Sequence, residues 1–338
     1  MRRISVRPIN PLRRTCLLIR YGAFGDMLQA ASVFPLLKEE GYHLTVNVCT
    51  RGYGVVKHDP NVDAWIVQDD DEVPNEKLSE YWQELGKDFD RVINLSECTE
   101  GTLLLVPGRR TFVLPKPARH AICDVNYQEF IHMMAGVDMH FQGVFHATKT
   151  EKKKAASRRR GMGPGPVILW ALAGSSVHKT YPFTDAVVAK LLKTTAAKVV
   201  FVGDELCQIL EVGWENEKRV ICKSGKWSIR ETLAFVNEAD IIVGPETGVL
   251  NAAANLPVPK VVLLSHSTEE NLSKHWQNAT AIVPDSLSAP CYPCHRLHYT
   301  REFCPIDEPT NAALCAASID PERVFQAISE HAFKRIAA

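Results

Sequence analysis

The stretch "LLIRYGAFGDMLQAASVFPLL", residues 17–37, carries an aspartate where an apolar strand turns into a helix. Gly22 and Gly25 are spaced G-x-x-G and followed by Asp26, whereas a dinucleotide fold needs G-x-G-x-x-G at this turn, so nicotinamide-dependent hydride transfer is excluded. A carboxylate at a helix N-terminus gains about 0.3–1 kcal/mol from the dipole, which suits a plain helix cap. The same carboxylate, held ionised at the mouth of a cleft, is suited to taking a proton from an acceptor hydroxyl.

Three turns in the second half carry complementary chemistry. "AGSSVHKTYPF", residues 173–183, follows a strand and supplies two small hydroxyls, Ser175 and Ser176, and a lysine, Lys179, able to neutralise a phosphate as a point charge. "VFVGDELC", residues 200–207, ends a strand at Gly203, Asp204 and Glu205, where a carboxylate could accept a ribose hydroxyl. "GPETGVLNAAANLP", residues 244–257, runs from a strand straight into a helix. There Gly244, Thr247 and Gly248 give a diphosphate room to approach the helix N-terminus. Each turn is also compatible with a surface loop chosen for geometry alone.

Four of the ten cysteines cluster late in the chain as Cys291-x2-Cys294-x9-Cys304-x10-Cys315. This spacing points to a tetrahedral metal site more than to disulfides, and thiolates select zinc or iron. Four thiols packing an irregular loop is the plain alternative. His295 and His298 are expected to be exposed loop residues. The other six cysteines (Cys16, Cys49, Cys98, Cys123, Cys207, Cys222) sit mostly in apolar, strand-like segments and read as small buried residues.

The elements that must position these groups follow an alternating pattern. "CLLIR", "LTVNVC", "AWIVQ", "RVINLS" and "TFVL" read as strands, with helices over "DMLQAASVFPLLKEEG" and "NYQEFIHMMAGV", which is the βαβ order of a parallel sheet. From residue 146 the text becomes "HATKTEKKKAASRRRGMGPGP", with seven Lys/Arg before a Gly/Pro cluster. It reads as a linker, over 151–166, or as a charged helix end with a hinge; an anchor for phosphates or anionic lipid is the alternative. Alternation then resumes with strands "VILWALAG", "KVVFVGD", "RVICKSG", "IIVGPETG" and "KVVLLS" and helices between them. A final helix begins at Asp320 as N-cap with Pro321 at its first position. The expected fold is therefore α/β, two Rossmann-like doubly wound domains facing a central cleft: 1–150, then the linker, 167–319 with the cysteine finger at 291–315, and a C-terminal helix over 320–338.

With 338 residues, 46% hydrophobic and 23% charged, the chain is long enough for two such domains. Lys+Arg and Asp+Glu both number 39, so global charge does not call for nucleic acid or an anionic membrane as partner. The basic start lacks the apolar run of a signal peptide, and no stretch approaches a membrane span, so a cytoplasmic location is expected.

The order G-D after the first strand, G-S-S…K…P after the linker, G-D-E after the next strand, G-P-x-T-G…A-A-A…P later and C-x-P-C near the end resembles glycosyltransferase family 9, the ADP-heptose-dependent heptosyltransferases. The resemblance spans about residues 15–330. It implies the GT-B architecture, with the acceptor on the N-terminal side and the nucleotide-sugar donor on the C-terminal side. By the same resemblance Asp26 matches the catalytic aspartate, Lys179 the phosphate-binding lysine, Glu205 the ribose-binding acid and Thr247–Gly248 the diphosphate-binding turn. The implied reaction is inverting transfer of a heptose-like sugar, with ADP-heptose as the expected donor, to an acceptor hydroxyl, and no metal is needed for that step. The family's D-T-G-x-x-H is here Glu246-Thr247-Gly248-Val249-Leu250-Asn251, so the donor contacts of Glu246 and Asn251 are expected to differ. The cysteine spacing is similar to the finger of the bacterial autotransporter heptosyltransferases, where it holds iron. Two other readings stay open: a relative without turnover that serves as a binding or assembly module, and a transferase acting on an unusual acceptor such as a protein serine or modified nucleic acid. The acceptor and the oligomeric state are not fixed by the sequence.

Overall fold

The computed structural model of the chain describes residues 1–69, 72–96, 98–99, 106–142 and 145–334. It divides into two compact units, one of Met1–Leu103 with Val125–His146 and the other of Leu104–Asp124 with Ala147–Ala338.

The first unit is built on five strands, β1 (Arg2–Ser5), β2 (Thr15–Arg20), β3 (His43–Cys49), β4 (Ala64–Gln68) and β5 (Arg91–Asn94), in the order β1-β4-β3-β2-β5. All are parallel except β1, which pairs antiparallel with β4 at the edge. Cys16, Leu17, Leu18 and Ile19 are all fully buried, as a strand covered on both faces must be. The helical pattern after β2 is cut in two, Phe24–Ala31 and Phe34–Glu39. Pro35 is the cause: it has no N–H to donate and its ring would collide with a carbonyl of the preceding turn, so it is tolerated only at a helix start.

The second unit holds a fully parallel sheet of six strands: β6 (Val167–Ala171), β7 (Lys198–Val202), β8 (Val220–Cys222), β9 (Ile241–Pro245), β10 (Lys260–Leu263) and β11 (Ala279–Ile282), in the order β11-β10-β9-β6-β7-β8. Trp170, Phe201, Val243, Val261 and Val324 meet in its core, the last from helix Pro321–Lys334. Asp320 caps that helix, its Oδ1 accepting the Glu322 N–H at 2.9 Å.

One segment differs from the sequence-based expectation. "TFVL" is not a strand; Arg110–Val113 is a 3-10 turn, followed by helix Lys116–Cys123 with Pro117 in its first turn. With Pro115 and Pro117 close behind it, the segment lacks the run of N–H donors a strand would need. It packs with the second unit. The basic run is a docked helix, Lys149–Gly161, opened by a capping box in which Thr148 and Glu151 satisfy each other's backbone N–H groups. Its charges are used. Glu151 takes two hydrogen bonds from Arg230 at 2.6 and 2.8 Å, Arg158 bonds Glu231 at 2.7 Å and stacks on Trp227, and Arg159 meets Asp240 at 3.1 Å.

Candidate active site

In each sheet the strand order reverses beside the first strand of its βαβ series, β2 in the first unit and β6 in the second, and the loops leaving those strands carry the chemistry-bearing residues. After β2, Gly22 adopts φ +152° and a Cβ there would lie 3.0 Å from the Cβ and Oδ2 of Asp26. The absent side chain is thus what lets Asp26 fold back over the turn. Asp26 Oδ2 accepts the Ala23 N–H at 2.8 Å, and Oδ1 faces Arg20 Nη2 at 3.2 Å. Arg20 is fully buried and anchored by donating to the Leu95 carbonyl at 2.9 Å. Asp26 itself keeps 24% of its side chain exposed, so a group fixed by one cation and one amide remains reachable from solvent.

In the second unit the loops after β6 and β9 converge. Lys179 Nζ is ion-paired with Glu246, and Asn251 Nδ2 donates to the other carboxylate oxygen at 3.0 Å. Burial pushes Glu246 up, but the Lys179 ammonium and the Asn251 hydrogen bond outweigh it and hold the carboxyl below its usual range. A Cβ on Gly174 would strike Lys179 Cδ at 2.6 Å and approach Thr247 Cγ2 at 3.3 Å, so that glycine is the floor on which the two residues meet. Gly244, at φ +151°, lies against the Ala171 carbonyl, where a Cβ would fall at 2.7 Å. Thr247 Oγ1 is buried and has no hydrogen-bond partner, an orphaned hydroxyl at the start of helix Gly248–Ala253.

The remaining expected residues are less concentrated. Ser175 is exposed. Ser176 is buried and spends its hydroxyl on the cysteine loop, donating to the His298 carbonyl at 2.6 Å and accepting the His298 N–H at 2.9 Å. Glu205 is exposed at the end of β7, beside Gly225.

Cys291, Cys294, Cys304 and Cys315 are free thiols that line one cavity of about 30 Å³ together with Arg119 and His298. The loop is held by residues 112–119. Lys116 Nζ donates to the carbonyls of Pro290 and Tyr292, both at 3.0 Å, Arg119 Nε to that of Cys294 at 3.1 Å, and Arg296 Nε to that of Phe112 at 2.7 Å. His295 and His298, expected to be exposed, are buried, at 0% and 4%. Both face groups distant in the chain: His295 lies against Asp124 and His120, and His298 against His178 and Phe112. Nothing local in "CYPCHRLHYT" signals this, because both rings pack against residues distant in the chain, in 106–124 and around His178.

No family model matches the chain, and no curated protein matches it by sequence. Solved structures do match. A glycosyl transferase family 9 protein from Veillonella parvula superposes with a TM-score of 0.69 at 15% identity, over 97% of this chain and 100% of its own. The ADP-heptose LPS heptosyltransferase II of E. coli gives 0.64 at 14%, over 95% and 99%. The iron-containing dodecameric glycosyltransferase TibC of enterotoxigenic E. coli gives 0.60 at 13%, over 99% of this chain and 78% of that one. At these identities the likeness is one of fold, and the resemblance read from the turns therefore extends to the architecture: the chain has the two-unit Rossmann-like GT-B fold of the family 9 glycosyltransferase structures.

Proposed function

We propose that the chain is an inverting glycosyltransferase that moves a sugar from a nucleoside diphosphate, ADP-heptose being the expected donor, to an acceptor hydroxyl. The observation that carries this reading is the convergence of Lys179, Glu246, Asn251 and the unpartnered Thr247 hydroxyl where the second sheet reverses its strand order. Lys179 has three N–H donors and gives one to Glu246, which leaves two for diphosphate oxygens. The Thr247 hydroxyl and the backbone at Gly248 add neutral donors to the same place. Together they would stabilise the charge that grows on the leaving diphosphate. Glu205 and Ser175, exposed beside these loops' strands, are assigned to the donor's ribose and phosphates; Ser176 supports them by fixing the loop. Asp26 is assigned the acceptor's proton, because its carboxylate is oriented by Arg20 and Ala23 and still open to solvent. The family 9 fold and the ADP-heptose complex of TibC support the donor class.

The test is donor turnover. Purified protein should release ADP from ADP-heptose, and Asp26→Asn should lower that rate by about 100- to 10,000-fold while nucleotide affinity stays the same. Near-normal turnover in Asp26→Asn returns Asp26 to a helix cap. Donor left intact by the wild type, with binding retained, would make the chain a binding module.

We also propose that the four late cysteines hold one structural metal ion, zinc or iron. What supports it is the donor chemistry: the four thiols line a single small cavity, with Arg119 beside them to offset thiolate charge. Four thiolates would leave a tetrahedral ion no open position, so it would tie the loop rather than take part in transfer. Elemental analysis should find it in the wild type and lose it in Cys291→Ser/Cys294→Ser; equal metal in both rules the assignment out.

A further inference from the structure

Among the described residues, the metal-binding side chains whose ligand atoms lie within 4.8 Å of one another are not the cysteines but His120, Asp124 and His295. His120 and Asp124 stand four residues apart at the end of helix Lys116–Cys123, which puts both side chains on one face. His295 comes from the cysteine loop. Its Nε2 lies 3.0 Å from Asp124 Oδ1, and His120 Nδ1 lies 3.1 Å from Asp124 Oδ2. The two imidazoles meet edge to face with centroids 5.0 Å apart.

We propose that these three residues form a second metal site, independent of the four cysteines and of sugar transfer, that takes one divalent first-row transition ion. Two imidazole nitrogens and one carboxylate oxygen are the donor set such ions select. One ligand atom from each residue lies within 4.8 Å of the others, a spacing that a small side-chain adjustment closes towards the edge of a tetrahedron around zinc, about 3.3 Å for bonds of roughly 2.0–2.1 Å. The second observation is the state of the histidines. His295 is fully buried; its Nε2 meets the Asp124 carboxylate, but its Nδ1 has no hydrogen-bond partner, and neither has the buried Nε2 of His120. Buried polar groups are almost always satisfied, so two buried ring nitrogens left without partners on imidazoles that share one carboxylate point to something that completes the cluster. Asp124 keeps 52% of its side chain exposed, which gives an ion a route in and leaves a coordination position for water. Such an ion would staple helix Lys116–Cys123 to the cysteine loop, adding to the Lys116 and Arg119 bonds that already join them.

The experiment is zinc uptake by the full chain, read by elemental analysis after equilibration and by isothermal titration. His120→Ala and Asp124→Asn alter partly exposed side chains, so both are expected to fold, which a thermal scan checks. The expected result is one zinc ion per chain fewer in each variant than in wild type, whatever the cysteines hold, together with loss of one titration phase. In a Cys291→Ser/Cys294→Ser background, cobalt bound at this site should show no thiolate charge-transfer band. Equal zinc content in wild type, His120→Ala and Asp124→Asn overturns the proposal and leaves a carboxylate bridging two histidines. So does an extra ion whose cobalt spectrum carries thiolate bands.

Discussion

Glu246 and Asn251 are the two positions at which the β9 turn departs from the family 9 pattern, and the structure joins them: the amide of one donates to the carboxylate of the other, which in turn holds Lys179. The longer acid and the amide are thus one change rather than two. Because Lys179 is buried and Glu246 keeps only 12% of its side chain exposed, removing either leaves the other charge largely uncompensated, at a cost of up to about 3–5 kcal/mol. Lys179→Met and Glu246→Gln should each lower stability by that order in urea unfolding, and the double variant by clearly less than the sum. Additive losses would mean that the pair does not act as a unit. At this scale the sequence was informative where a residue's role is local. Asp26, Lys179 and Thr247 could be put forward as candidates because a strand, a turn and a helix start announce themselves within a dozen residues. His120, Asp124 and His295 could not, since their juxtaposition depends on where residues 106–124 pack.

At the scale of elements, what the sequence reading missed was context rather than propensity. Parallel strands with buried faces are near-continuous apolar runs, and β2, β6, β7 and β9 were legible for that reason, while β3 was legible from its alternation of apolar and polar residues. The edge strand β1, with mostly exposed polar residues, carries no such signal. Helix Lys149–Gly161 shows the same limit: almost wholly polar, it reads as a linker or a charged helix end, and the ion pairs that fasten it are ones that only the fold brings together. Hydrogen bonds from Arg230 hold Glu151 down to about 2, and those from Lys154, with Arg158, do the same for Glu231, against a usual value of 4.5. A depressed carboxylate contributes stability that is full above the unfolded value and is lost as pH falls towards the folded one. The second unit should therefore weaken between about pH 4.5 and 2, and Glu151→Gln should flatten that dependence while lowering stability at neutral pH. Urea midpoints measured across this range decide the matter; an unchanged slope in Glu151→Gln would show that the helix is held by other contacts.

For the whole molecule, each unit has its own sheet and its own core, Leu17, Ile19, Ile66 and Leu85 among the residues of one and Trp170, Phe201 and Val243 among those of the other. Units with separate cores need not unfold together, so a single melting temperature is not the natural description of this chain. That separation gives the functional reading a sharp test. If the donor's diphosphate is held by Lys179 and Thr247, ADP binds the second unit and not the first, and a ligand stabilises only what it binds. At 100 times its dissociation constant it contributes about 2.7 kcal/mol to that unit's unfolding. Calorimetry with ADP, UDP, GDP and their sugars should move the transition that carries the β6–β11 sheet, with ADP or ADP-heptose moving it most, and leave the transition of the β1–β5 sheet in place. Tryptophan fluorescence separates the two, since Trp65 and Trp82 lie in the first unit and Trp170, Trp214, Trp227 and Trp276 in the second. Single-tryptophan variants keeping Trp65 or Trp170 would assign each transition. A nucleotide that stabilised only the Trp65 transition would place the donor on the first unit and reverse the assignment of the two units' roles.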